Sequence, residues 1–391
     1  MIEVFLRELQ RIATTPVYWL SLVVAPFFCV VLFTTLMDSG LPSDLPVGMV
    51  DMDGTSTTRN LARNLDAFQN CRIVERYASM QEARKAVQRG DIYAFYYIPE
   101  GTTQKLMGQE SPIVSFYTNH QFLVAASLTY KDMRMMSELT AGAATRSVMR
   151  GKGVDDGRTM AMLQPIVIDC HPIGNPSLNY SVYLSNVLLP GVFAIFFLFM
   201  TVWSIGIEIK ENTSGELLAC AARRGTPGAT AVSLRALFGK LAAQGLLMQL
   251  AGWTLVLYLY GYLKYPCLCG IPTMLGIMTL FVLACQGLGA FMICTLPGLR
   301  LGLSFASLWG VLSFSICGMS FPVMAMPAWV QGIATLFPLR HYYLLYVNCA
   351  LDGWPLSAAW PYVLALAGFA LLPLLYARKF GRIMQQTAYV A

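Results

Sequence analysis

The sequence predicts an α-helical integral membrane protein, with six transmembrane helices and one inserted extracytoplasmic α/β domain. Three observations carry this. Of 391 residues, 56% are hydrophobic and only 12% are charged, about half the charge of a soluble domain. Charge-free runs long enough to cross a bilayer recur along the chain. Between the first two of them lies a polar stretch of domain size with its own alternating pattern.

Residues 1–15 place Ile2, Phe5, Leu6, Leu9, Ile12 and Ala13 on one helical face and Glu3, Arg7, Gln10 and Arg11 on the other. That pattern predicts an amphipathic helix lying at the membrane interface. The first span occupies 16–37, because Val17 to Met37 carries no charge and as a helix would match a hydrocarbon core about 30 Å thick. The run is too long for the core of a secretory signal, and no small-x-small cleavage site follows it.

Residues 38–180 read as a soluble domain. Leu45 to Val50, Cys71 to Tyr77, Ile92 to Ile98 and Pro112 to Tyr117 fit strands, while Thr55 to Phe68, Met80 to Arg89 and Phe122 to Met149 fit helices. Such alternation predicts an α/β fold. Within it, Val50-Asp51-Met52-Asp53-Gly54-Thr55 has the opening of a calcium loop, but Ala62 stands where the closing carboxylate belongs. A strand end followed by a helix cap is the better reading.

Residues 181–391 then hold five more spans: Val182 to Ile207, Leu241 to Leu263, Ile271 to Leu296, Leu301 to about Met326, and Pro355 to Tyr376. Six spans put both termini on one side. Eleven Lys and Arg flank the spans on that side, against only Lys264 and Arg340 in the opposite short turns, so both termini are expected in the cytoplasm.

Several functions are excluded or disfavoured. The net charge of +6 is dispersed, with no nucleic-acid patch. His120, His171 and His341 are widely separated, no span carries paired carboxylates, and no metal or nucleophile motif occurs, so an enzyme is not expected. The sequence has no G-x-x-x-x-G-K-[ST] phosphate loop; if ATP is used, a partner chain binds it. Cys267-x-Cys269, or Cys71 with Cys170, could form a disulfide, which sequence does not decide. Gln244, Gln249 and Gln286 are the most polar groups at membrane depth and either line a pathway or bond between helices, the second being favoured. Gly245, Gly252, Gly261, Gly287 and Gly289 permit close helix approach.

Two segments say more. The stretch 208–240 puts Glu208, Lys210, Glu211 and Glu216 at a membrane exit and runs through Arg223 and Arg224 to Gly239-Lys240, a generous length for a connector. The stretch 326–338 places Trp329, Val330, Ile333, Ala334 and Phe337 at helical spacing between Pro327 and Pro338. It predicts a helix of about three turns, too short to cross the membrane, in the outer leaflet.

These residues resemble the permease subunits of ABC type-2, exporter-type transporters, in the branch with a large extracytoplasmic domain between the first two spans. The most specific part is M-P-x-W-x-Q-x-I-x-x-L-x-P-L from Met326 to Leu339, followed by Gly353. Val50 to Thr55, Tyr97 to Gly101 and Gly239-Lys240 are also similar. The loop departs from the family's pattern, with Thr213-Ser214 in the place of Gly-Thr between Glu211 and Glu216, and Thr226-Pro227 arriving late.

The resemblance implies a bacterial inner-membrane permease that forms the substrate pathway of an ATP-driven exporter as a dimer, with a second copy or a paralogue. It binds no cofactor itself; ATP sits on separate ABC ATPase subunits. The first helix and the 208–240 loop would contact those subunits through Arg7, Arg11, Glu208, Glu211, Glu216 and Lys240. A periplasmic adaptor and an outer-membrane channel are possible further partners. The alternative is a non-transporting membrane scaffold or receptor whose extracytoplasmic domain binds a partner.

Overall fold

The computed structural model describes residues 1–38, 40–108, 110–164, 171, 174–175, 179–222 and 228–386. The chain divides into two compact units, Met1–Asp38 with Pro172–Ala391, and Ser39–His171.

The first unit opens with α1 (Ile2–Thr14) and α2 (Pro16–Leu36), the first of six helices among the described residues that are long and apolar enough to cross a membrane. Thr15 is extended between them, so the chain turns before Pro16, which fits the first turn of the new helix because it needs no amide donor there.

The second unit is a four-stranded sheet with helices on both faces. Its elements run β1 (Leu45–Asp51), α3 (Ser56–Asp66), β2 (Cys71–Arg76), α4 (Met80–Arg89), β3 (Ala94–Ile98), α5 (Thr102–Met107), β4 (Ser115–Thr118), α6 (Leu123–Gly151) and α7 (Asp156–Leu163). The strand order is β2-β1-β3-β4. β1 pairs in parallel with β2 and β3, and β4 closes one edge antiparallel to β3. Val47, Met49, Tyr96 and Ile98 pack with Leu65 and Met133 on one face, while Val50 and Phe95 pack with Ala83 and Ala86 on the other. Strands buried on both faces are what parallel pairing under crossover helices requires.

The turn after β1 is structural. Asp51 Oδ1 accepts from the amides of Asp53 and Gly54, and Thr55 caps α3 through the amide of Thr58. Asp53 Oδ2 accepts from the Thr103 hydroxyl at 2.5 Å. These hydroxyl and amide donors hold the Asp53 carboxylate below its usual pKa. Among the described residues no acidic, His or Cys cluster could hold a metal.

The chain returns to the first unit with α8 (Tyr180–Lys210), α9 (Ser214–Ala222), α10 (Ala229–Tyr262), α11 (Ile271–Thr295), α12 (Leu299–Ile316), α13 (Ala328–Ala334), α14 (Pro338–Leu345) and α15 (Trp360–Gln386). Several boundaries differ from the sequence reading, the sixth span among them, which runs Trp360–Gln386 rather than Pro355 to Tyr376. α8 and α10 run on past the charge-free runs, so Glu208 and Lys240 lie inside helices. The fifth span stops at Ile316, well short of Met326, because Gly318 takes a φ of +103° that ends the helix. The expected three-turn helix at 326–338 is seven residues of α13, after which Phe337 is extended ahead of Pro338, as a residue before proline prefers.

Close packing rests partly on glycine. A methyl at Gly287 would come within 2.0 Å of the Phe369 carbonyl oxygen, so α11 and α15 meet backbone to backbone there. Gly252 instead makes room for the Met278 side chain, whereas Gly261 has open space beside it and brings no helix close.

Candidate functional site

The site is built where α1 crosses the ends of α8 and α10. A methyl at Gly239 would lie 2.9 Å from Val4 Cβ and 3.0 Å from the Met1 carbonyl oxygen; the glycine is what lets α1 lie directly on α10. Lys240 follows and turns beneath α1.

Val4, Glu8 and Ile12 form the buried row of α1, spaced by four residues. The apolar face read from the sequence is only partly the inward one: Ile12 is buried and Phe5 and Leu9 pack against the core, but Ile2 and Leu6 are exposed, and a carboxylate sits in the middle of the inward row. Charged groups line the contact because they meet partners there.

Glu8 is fully buried and accepts four hydrogen bonds. They come from Lys240 Nζ at 2.5 Å, Tyr18 Oη at 2.8 Å, Ser204 Oγ at 2.8 Å and Gln244 Nε2 at 2.9 Å. Burial alone would raise its pKa, but the Lys240 charge and the hydrogen bonds from Lys240, Ser204 and Gln244 outweigh it and hold the carboxyl below its ordinary value.

Lys240 Nζ also donates to Glu208 Oε1 at 2.9 Å, so one buried ammonium bridges two buried carboxylates. Glu208 is further gripped by Arg7 through both terminal nitrogens, at 2.8 and 3.1 Å, by Arg11 at 2.7 Å and by the Thr213 hydroxyl at 2.5 Å. Arg7 forms a fork of the kind that fixes orientation as well as distance. Its hydrogen bonds to Glu208 raise its pKa against the cost of burial. At the rim Arg11 pairs with Glu211, and Arg7 lies 3.8 Å from Glu216, whose side chain is largely exposed.

All six charged residues named from the sequence thus meet at one place: Arg7, Arg11, Glu208, Glu211, Glu216 and Lys240. Gln244 joins them. Gln249 and Gln286 do not; Gln249 bonds Thr279 on α11, and Gln286 bonds the Leu241 carbonyl on α10, both between helices. Pro327, Trp329 and Pro338 lie far along the chain around α13, and Trp329 is exposed. Arg223, Arg224, Thr226, Pro227 and Cys170 fall outside the described residues. Cys267 and Cys269 are free thiols with sulfurs 3.9 Å apart.

Sequence reading missed Glu8, Tyr18, Ser204 and Thr213. The signal for Glu8 was its spacing, four residues from Val4 and from Ile12, in a helix otherwise read by its strongest apolar stripe.

Beside the network opens a cleft of about 450 Å³ lined by Arg7, Gln10, Arg11, Trp203, Glu211 and Thr213, among others. Chemically it is a clamp: six opposite-charge contacts and their hydroxyl partners join α1 to α8, α9 and α10, about 200 residues further along the chain.

The model of a family described as "ABC-2 family transporter protein" matches residues 16–378. No curated protein matches the chain.

Proposed function

The chain belongs to the ABC-2 family of transporter proteins, and we propose that it is the membrane permease subunit of an ATP-driven exporter, coupled to separate ATPase subunits through α1 and α9. It is a multi-pass membrane protein. In the proposed assembly two permease copies, or this chain with a paralogue, enclose the substrate pathway in a bacterial inner membrane. Both termini face the cytoplasm, and residues 38–180 lie outside, available to a periplasmic adaptor.

The observation that carries this reading is the buried bridge Glu8–Lys240–Glu208. A helix held to the surface by apolar contact alone would slide under load. α1 is instead pinned to the ends of two spanning helices by charges whose separation in a low-dielectric interior costs several kcal/mol. A push delivered to α1 or to the exposed acids Glu211 and Glu216 would move α8 and α10 as rigid bodies. The adjoining cleft gives an ATPase element a place to seat. Nucleotide state alters the pathway only if the ATP-bound and ATP-free partners engage this surface differently.

Affinity purification in mild detergent tests the reading. An ATPase should copurify with the wild-type chain and be lost on Glu211→Ala with Glu216→Ala. Undiminished recovery of the ATPase would remove α9 from the docking surface, and no ATPase at all would contradict the exporter assignment.

A further inference from the structure

The turn between α10 and α11 carries two cysteines that the exporter reading leaves unused. Cys267 and Cys269 are half-buried free thiols whose sulfurs lie 3.9 Å apart, in van der Waals contact. The backbone holds that spacing. The Cys267 carbonyl accepts from the Gly270 amide at 3.2 Å, which folds residues 267–270 into a tight turn. At its apex the Leu268 amide donates to the Ala350 carbonyl at 2.9 Å, and the Thr273 hydroxyl donates to the Cys269 carbonyl at 2.8 Å. A chain bent this sharply sets alternate Cα atoms about 5.5 Å apart, within the range that a disulfide spans. The sulfurs already face each other, so side-chain rotation is what separates contact from bond.

A third thiol stands close by. Cys349 precedes Ala350, the residue that holds the turn, but it is fully buried, whereas the turn cysteines are open to a small reagent. The turn lies outside the spanning helices, and its cysteines pack against the apolar core. That burial raises the pKa of both thiols, Cys269 to about 12. Cys267 therefore gives up its proton the more readily of the two. The reduced pair gains no stabilised thiolate, the feature that would oppose its oxidation.

We infer that Cys267 and Cys269 are a redox pair that closes to a disulfide by exchange with a small-molecule or protein disulfide. Cys267, as the thiolate, attacks one sulfur of the oxidant; the oxidant's S–S bond breaks and one thiol leaves. Cys269 then loses its proton, attacks Cys267 Sγ and expels the second thiol. The pair gives up two electrons and two protons, and the oxidant is reduced to two thiols. The inference goes beyond the exporter reading and does not require it; in the proposed orientation the turn faces outward, where such oxidants are met.

The purified full-length chain in detergent is reduced with dithiothreitol, freed of reductant and exposed to oxidised glutathione. Remaining thiols are trapped with N-ethylmaleimide in denaturant before digestion and mass spectrometry. The peptide holding Cys267 and Cys269 should be lighter by two hydrogens, unalkylated and free of glutathione, while Cys349 should be alkylated. A second reduction should restore alkylation at both turn cysteines. Cys269→Ser should keep glutathione on Cys267, because the sulfur that displaces it is gone. Two alkylated turn thiols in the wild-type chain, glutathione retained there, or a bond from either cysteine to Cys349 would overturn the inference, and this wild-type result does not depend on the variant folding. Neither an ATPase nor membrane sidedness enters the assay, so its failure and a failure of copurification are separate results.

Discussion

The two ends of α8 show opposite treatments of charge. At Glu208 three cations and a hydroxyl close around one carboxylate, and Lys240 passes the chain of contacts on to Glu8. Some 25 residues earlier, at Tyr183, the surroundings are tyrosines, and Arg340 holds one long hydrogen bond. A closed network has no capacity left for a ligand and serves to hold elements in register. The comparison assigns mechanics to the first end and leaves Arg340 outside any such network at the second.

The largest expected effect tests the closed end. Lys240→Met strands two buried carboxylates beneath the arginines and should cost about 3–5 kcal/mol, read as a sharp fall in the thermal unfolding midpoint in detergent. A change within the noise would mean that the network is not holding α1.

Next comes pH. The folded pKa of Glu8 is depressed, so its contribution is fully present above the unfolded carboxylate value of about 4.3 and is lost as pH falls through the lower folded value. Wild-type protein should lose stability over that acid window, and Glu8→Gln should show a shallower loss there from a lower plateau. Thermal unfolding across pH 3–7 (about two units around the carboxylate value) measures both.

Smaller still, Gln249→Leu removes one interhelical bond to Thr279 and should cost about 0.5 kcal/mol. Smallest of all, Arg340→Gln should shift stability by less than about 0.5 kcal/mol, because the side chain contributes a single long bond. A large loss there would break the comparison, since Arg340 would then be a structural member like Lys240.

Much of this was legible in the sequence. Charge-free runs located all six spans, because the bilayer penalises any exception. The alternation in 38–180 located all four strands, because a sheet buried on both faces needs apolar runs between helix caps. The six charged residues that the family resemblance singled out as contacts for a partner ATPase contact one another or Glu8 in the clamp. What stayed hidden is tertiary. Glu8 and Lys240 are 232 positions apart, and nothing local announces that they meet. Helical boundaries were misread for a related reason: Glu208 and Lys240 were taken to end their spans because they are charged, whereas their mutual pairing lets the helices continue. At 326–338 the proline at 338 divided what periodicity joined.

The central claim is that α1 moves with α8 and α10 as one body. Nitroxide labels at two exposed positions, Leu6 on α1 and Leu246 on α10, would report their separation by pulsed electron paramagnetic resonance. One narrow distance distribution is expected, unchanged by partner ATPase or nucleotide, and it should broaden in the charge-neutral Glu8→Gln, Lys240→Met double variant. A broad distribution in the wild-type background, or an equally narrow one in the double variant, would contradict the account.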